Sequence, residues 1–103
     1  MIHLKKDHEI AAMRLAGGVS STVLREAAAF VQPGVSTLEI DQYAGECISR
    51  YGGKSAFLGY RDYPCQICIS VNEEVVHGLA SGRRGQFGDI VSLDVGGGYD
   101  GYI

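Results

Sequence analysis

The residues with the chemistry for a reactive centre lie in the second half of the chain. Asp94 stands in an apolar run from Asp89 to Val95, and a carboxylate carried into a sheet needs a partner, because burying a bare charge is prohibitive; a metal ion or another cation is the usual answer. His77 follows the β-branched pair Val75-Val76 and precedes Gly78, at the lip of a sheet where loops carry function and an imidazole can hydrogen-bond or ligate. Strand alternation puts Ile90, Ser92 and Asp94 on one face and Val91, Leu93 and Val95 on the other. With the all-apolar face on helices, Asp94 is expected on the opposite face, in one cleft with His77.

Other reactive side chains carry less. Cys65 and Cys68 have C-x-x-C spacing, but three positions apart on a strand they point to opposite faces and cannot share an ion, so they are expected to pack as small apolar groups. Glu73-Glu74 diverge for the same reason and read as a solvated turn. His3 and His8 lie among charges near the start and read as solvated.

These groups must be positioned by two helices and a set of strands, an α+β arrangement. Asp7 is expected to cap a first helix of about six turns whose buried stripe runs Ile10, Met13, Gly17, Ser20, Leu24, Ala27 and Val31, with Gln32-Pro33-Gly34 as its stop. Gly17-Gly18 inside it is expected to mark close packing against a sheet. Ser36 and Glu39 form a capping box for a second helix reaching about Tyr51, its inner face built from Leu38, Tyr43, Ala44, Cys47 and Ile48. Gly52-Gly53 then ends it in left-handed geometry. From Ser55 the period becomes that of strands and turns, with strands expected at 66–71, at Val75-Val76 and at 89–95.

Composition narrows the classes. At 103 residues the chain has room for one domain, residues 1–103, and its 46% apolar and 20% charged residues are those of a globular protein. No apolar run approaches the ~20 residues of a membrane span, and charge is mixed through the first residues where a signal peptide would be apolar. A net charge of -3 with scattered cations offers no basic stripe for nucleic acid. An odd number of cysteines, three, argues against a disulfide framework. The expectation is a cytoplasmic protein binding neither membrane nor nucleic acid.

The whole chain resembles the N-terminal half of a type I methionine aminopeptidase, of the metallopeptidase family with the pita-bread fold. The resemblance rests on CISVNEEVVHG (68–78) followed by GDIVSLDVGGGYDGY (88–102), with GYRDYP (59–64) and PGVST (33–37) in support. It implies half of a pita-bread fold, with two helices packed on a mainly antiparallel sheet, and removal of the N-terminal methionine from peptides and nascent proteins. It implies a centre of two divalent metal ions, drawn from Co, Mn, Fe or Zn, with Asp94 as the first ligand. It makes His77 the catalytic and substrate-contacting imidazole, and lines the methionine pocket with Tyr60, Tyr63 and Cys68, Phe57 nearby.

The chain departs from the family pattern in three places. Asp62 replaces the second glycine of G-Y-x-G-Y/F-P, and His77-Gly78-Leu79-Ala80 stands where H-G-I-P is usual. The D-G-x-x-G-D pattern that carries the second metal ligand begins at Asp100-Gly101 and is not completed, and a histidine and two glutamates belong to the second half of the fold. The 103 residues alone are therefore expected to be inactive, to bind divalent metal weakly, and to self-associate through an exposed sheet edge. The competing class is a non-catalytic pita-bread half that serves as a binding or assembly module. A proline-handling peptidase of the same fold matches the pocket stretch less well.

Overall fold

A computed structural model describes residues 2–74 and 78–103. Helix α1 spans Asp7–Phe30 and α2 spans Thr37–Arg50; strand β1 is Lys54–Ser55, β2 Cys68–Val71, β3 Val91–Asp94 and β4 Gly97–Gly98, with a 3-10 turn at Tyr60–Asp62. Both pairings, β1 with β4 and β2 with β3, are antiparallel. The helices pack on each other and on the strands, the expected two-helix, antiparallel-sheet architecture. The expected strand at Val75-Val76 lies outside the described residues.

The α1 stripe is rotated from the expected one. Ala16, Val23 and Ala27 are fully buried, with Val19, Phe30 and Val31 packed beside them, whereas Ile10 and Leu24 are each 39% exposed. Its 24 residues extend about 36 Å, against about 21 Å for the 14 residues of α2, so the first turns of α1 overhang the layer that could cover them. The N-cap is Lys6 rather than Asp7, and the Lys6 amide donates to Glu9 Oε1 at 3.0 Å. Gly17 and Gly18 face open space, so the close packing expected of them is absent.

The capping box of α2 forms as the sequence implies: the Glu39 amide donates to Ser36 Oγ at 3.1 Å and the Ser36 amide to Glu39 Oε1 at 3.4 Å. The next two orphan amides of the helix, Thr37 and Leu38, donate to the carbonyls of Arg83 and Ser81 at 2.9 and 2.8 Å. The loop before β3 is thereby strapped across the start of α2. Leu38, expected inside, is 45% exposed, and Ile40 is buried in its place. Gly52 closes the helix at φ 78°.

Ile48, Ile67, Ile69 and Val71 meet Val23, Ala27 and Ala44 in the core, and Val91, Leu93 and Val95 pack against it. The Phe30 and Tyr43 rings stack 4.4 Å apart between the helices. The helix layer thus takes one face of the β2–β3 pair and leaves the other to the site.

Candidate functional site

The register of β2 and β3 decides what meets on the site face. Cys68 pairs with Asp94, Ser70 with Ser92, Ile69 with Leu93 and Val71 with Val91. Directly opposed residues of an antiparallel pair project to the same face with Cβ atoms about 5 Å apart. Ile69, Val71, Leu93 and Val91 therefore turn to the helices, and Cys68, Ser70, Ser92 and Asp94 share the other face. Asp94 is exposed there, and among the described residues it has no ion pair.

Part of this face is roofed. Cys68 and Ser70 are buried because the segment at Gly78 and the ring of Tyr63 lie over them. The Ile69 amide donates to the Gly78 carbonyl at 3.1 Å, and the Gly78 amide donates to Ser70 Oγ at 3.0 Å. The Tyr63 hydroxyl donates to the same Gly78 carbonyl at 3.1 Å and lies 3.2 Å from Cys68 Sγ. Burial, and then the contact with Cys68, push the Tyr63 phenol well above its ordinary value, so it stays a neutral donor.

Phe57, Tyr60, Tyr63 and Cys68 line one cavity of about 330 Å³, together with Arg61. The Phe57 and Tyr63 rings meet edge to face at 6.2 Å. The turn that brings them together is anchored by Ser55 Oγ, which accepts the amides of Phe57 and Leu58 at 3.2 and 3.1 Å and donates to the Gln66 carbonyl. Arg61 at φ 47° and Asp62 at φ 63° then carry the chain through left-handed geometry between Tyr60 and Tyr63. A hollow of this size, walled mainly by aromatic rings, has room for an apolar side chain.

Asp94 is one oxygen ligand of a kind suited to a divalent ion, but the described residues hold no group of three or more His, Cys, Asp or Glu side chains placed to bind a metal together. His77 lies outside the described residues. Cys65 and Cys68 are buried thiols, and Glu73 and Glu74 are exposed, within 3.8 and 4.0 Å of the Arg83 guanidinium.

Three residues of the site or its frame escaped the sequence reading. Arg61 lines the cavity, and its signal was the crowded Tyr-Arg-Asp-Tyr run between Gly59 and Pro64. Gly78 is the backbone strap over β2. Asp41 is a buried acid of α2 whose oxygens accept the amides of Gln66 and Ile67 at 3.1 and 2.9 Å, fixing the entry to β2. A broader groove of about 770 Å³ runs beside Asp41, Glu46 and Gln66. Asp41 is committed there to those two amides.

Residues 11–103 match the profile of Metallopeptidase family M24. The chain belongs to that family, and its two helices and antiparallel strands are part of the pita-bread fold. Within the family it is similar to methionine aminopeptidases. It is 40% identical over 102 residues to Methionine aminopeptidase 1 of Bacillus subtilis, covering 99% of this chain and 41% of that protein. A crystal structure of methionine aminopeptidase from Thermotoga maritima superposes with a TM-score of 0.93 at 40% identity, covering 97% of this chain and 41% of that one. An Xaa-Pro dipeptidase from Bacillus anthracis follows at 25% identity and a TM-score of 0.74, covering 90% of this chain and 25% of that one. The chain thus spans about two fifths of the length of its methionine aminopeptidase relatives.

Proposed function

We propose that residues 1–103 are the N-terminal half of the catalytic domain of a methionine aminopeptidase, supplying the pocket for the N-terminal methionine and one ligand of its metal centre. One observation carries this reading: Cys68, which lines the cavity with Phe57, Tyr60 and Tyr63, is the cross-strand partner of Asp94. The cavity holds the thioether side chain of the substrate, which is unbranched and polarizable and fits where branched side chains do not. Asp94 contributes one oxygen to a centre of two divalent ions, Co, Mn, Fe or Zn, completed by ligands from outside these residues. Bound there, such ions supply Lewis acidity and an activated water. His77 is assigned to the substrate near the scissile amide, following the resemblance of the VVHG segment.

The chain's own residues bind and orient. Tyr63, kept protonated and hydrogen-bonded to the Gly78 carbonyl, holds the pocket wall against β2. The relatives at 40% identity support the methionine-handling reading over the proline-handling one. Its partners are peptides and nascent proteins beginning with methionine, in the cytoplasm; among the described residues no helix is long and apolar enough to cross a membrane.

By themselves the 103 residues carry an incomplete ligand set, so we expect no turnover and weak divalent binding from them alone. Calorimetry with Mn or Co that finds two tight sites contradicts this. Among the described residues β3 pairs only with β2, and its other edge is open to a second copy of the chain. Sedimentation that finds a monomer at every concentration removes that association. The pocket assignment is tested by titrating methionine amide and valine amide into the 15N-labelled chain. Methionine amide alone should shift the Phe57, Tyr60 and Tyr63 amides, and equal shifts from both sink the assignment.

A further inference from the structure

Arg61 has no role in the account above, yet it is the charged side chain among those lining the cavity. Its backbone is left-handed at φ 47°, which turns the side chain back over its neighbour, and its guanidinium carbon lies 5.3 Å from the centre of the Tyr60 ring. An arginine stacked on an aromatic face is held in place without losing its outward hydrogen-bonding edge. The neighbouring Asp62, also left-handed, does not line the cavity, and among the described residues neither Arg61 nor Asp62 is in an ion pair. Arg61 is exposed, so its charge stands in water at the cavity wall.

We propose that Arg61 is a specificity residue that favours peptides carrying a carboxylate side chain within two residues after the anchored methionine. This rests on the methionine pocket of the proposed function. Arg61 lines the same cavity as Phe57, Tyr60, Tyr63 and Cys68, so the residues that follow a methionine seated there pass within reach of its long, exposed side chain. A carboxylate there gains a charge-assisted, two-pronged partner, whereas an ammonium meets like charge. Because the pair is exposed, the preference is modest, about 2- to 5-fold in affinity, and salt weakens it.

The test uses the 15N-labelled chain and C-terminally amidated Met-Asp-Gly, Met-Gly-Asp, their Asn counterparts and Met-Gly-Lys, titrated at low and at 0.5 M salt. The expected result is that at least one Asp peptide binds 2- to 5-fold more tightly than its Asn counterpart at low salt. Arg61→Gln should erase this difference, Arg61→Lys should keep only the part owed to charge, and high salt should suppress it. Each variant must keep the amide spectrum of the core strands. Equal affinity for Asp and Asn peptides, or a preference that survives in Arg61→Gln, overturns the role of Arg61 and leaves the pocket standing. Failure of every methionine peptide to shift the pocket amides overturns the pocket itself, and the role of Arg61 with it.

Discussion

Replacing Gly78 by alanine should collapse the frame of the pocket. A Cβ there would lie 2.1 Å from the Ile69 carbonyl oxygen and 2.8 Å from both the Ile69 carbonyl carbon and Ser70 Cα. All three are backbone atoms of β2, so no rotamer relieves the contact; the two segments must part by about 1.3 Å to restore an ordinary separation. Such a movement carries the Ile69-to-Gly78, Gly78-to-Ser70 and Tyr63-to-Gly78 hydrogen bonds, now 3.1, 3.0 and 3.1 Å, beyond bonding range. At about 1 kcal/mol net each these sum to about 3 kcal/mol, less roughly 0.5 kcal/mol gained from the stiffer unfolded chain. Against a total of about 5–15 kcal/mol for a domain, a loss near 2.5 kcal/mol is severe. Urea unfolding followed by circular dichroism should show the midpoint fall by about 1.7 M, for a slope near 1.5 kcal/mol per M. A midpoint within 0.3 M of the parent protein, with the slope unchanged, would refute the reasoning.

Substitutions at three further positions probe the frame. Asp62 occupies left-handed backbone at φ 63°, so Asp62→Gly should raise the melting temperature by about 2–4 °C and Asp62→Val should lower it by at least as much, read by calorimetry. Asp41→Asn exchanges one oxygen that accepts a buried amide for an amino group that cannot, and should cost about 2 kcal/mol in urea unfolding. The Glu26 carboxyl is held below its ordinary 4.5, first by the Tyr51 hydroxyl that donates to it at 2.7 Å. A depressed acid stabilises the fold above its unfolded value and loses that contribution as pH falls through the folded one. The parent protein should therefore destabilise more steeply than Glu26→Gln below about pH 4.5, in melting temperatures taken from pH 6 to 3.

Much of the fold was legible because it was local. The Ser36–Glu39 box, the glycine stop at Gly52 and the Asp100-Gly101 turn, with φ 51° and 82°, are decided by a few adjacent residues. The face of β3 that carries Asp94 followed from alternation alone, since a one-residue slip would have put a carboxylate into the core. The grouping of Phe57, Tyr60, Tyr63 and Cys68 was legible only through resemblance to a family, because nothing in their spacing joins a turn to a strand.

Sequence by itself determined the two helices and the strands at Cys68–Val71 and Val91–Asp94, the burial of the Val91–Leu93 face and the presence of a lone acid opposite it, since each depends on side-chain periodicity within one segment. Tertiary structure decided the rotation of the α1 stripe, because which turns are covered depends on where the shorter α2 lies. It also decided the pairing of Cys68 with Asp94, the strap at Gly78 and the return of Arg61 over Tyr60. The first two depend on strand register and on contacts between separate segments, and the last on two left-handed residues inside the turn at 59–63.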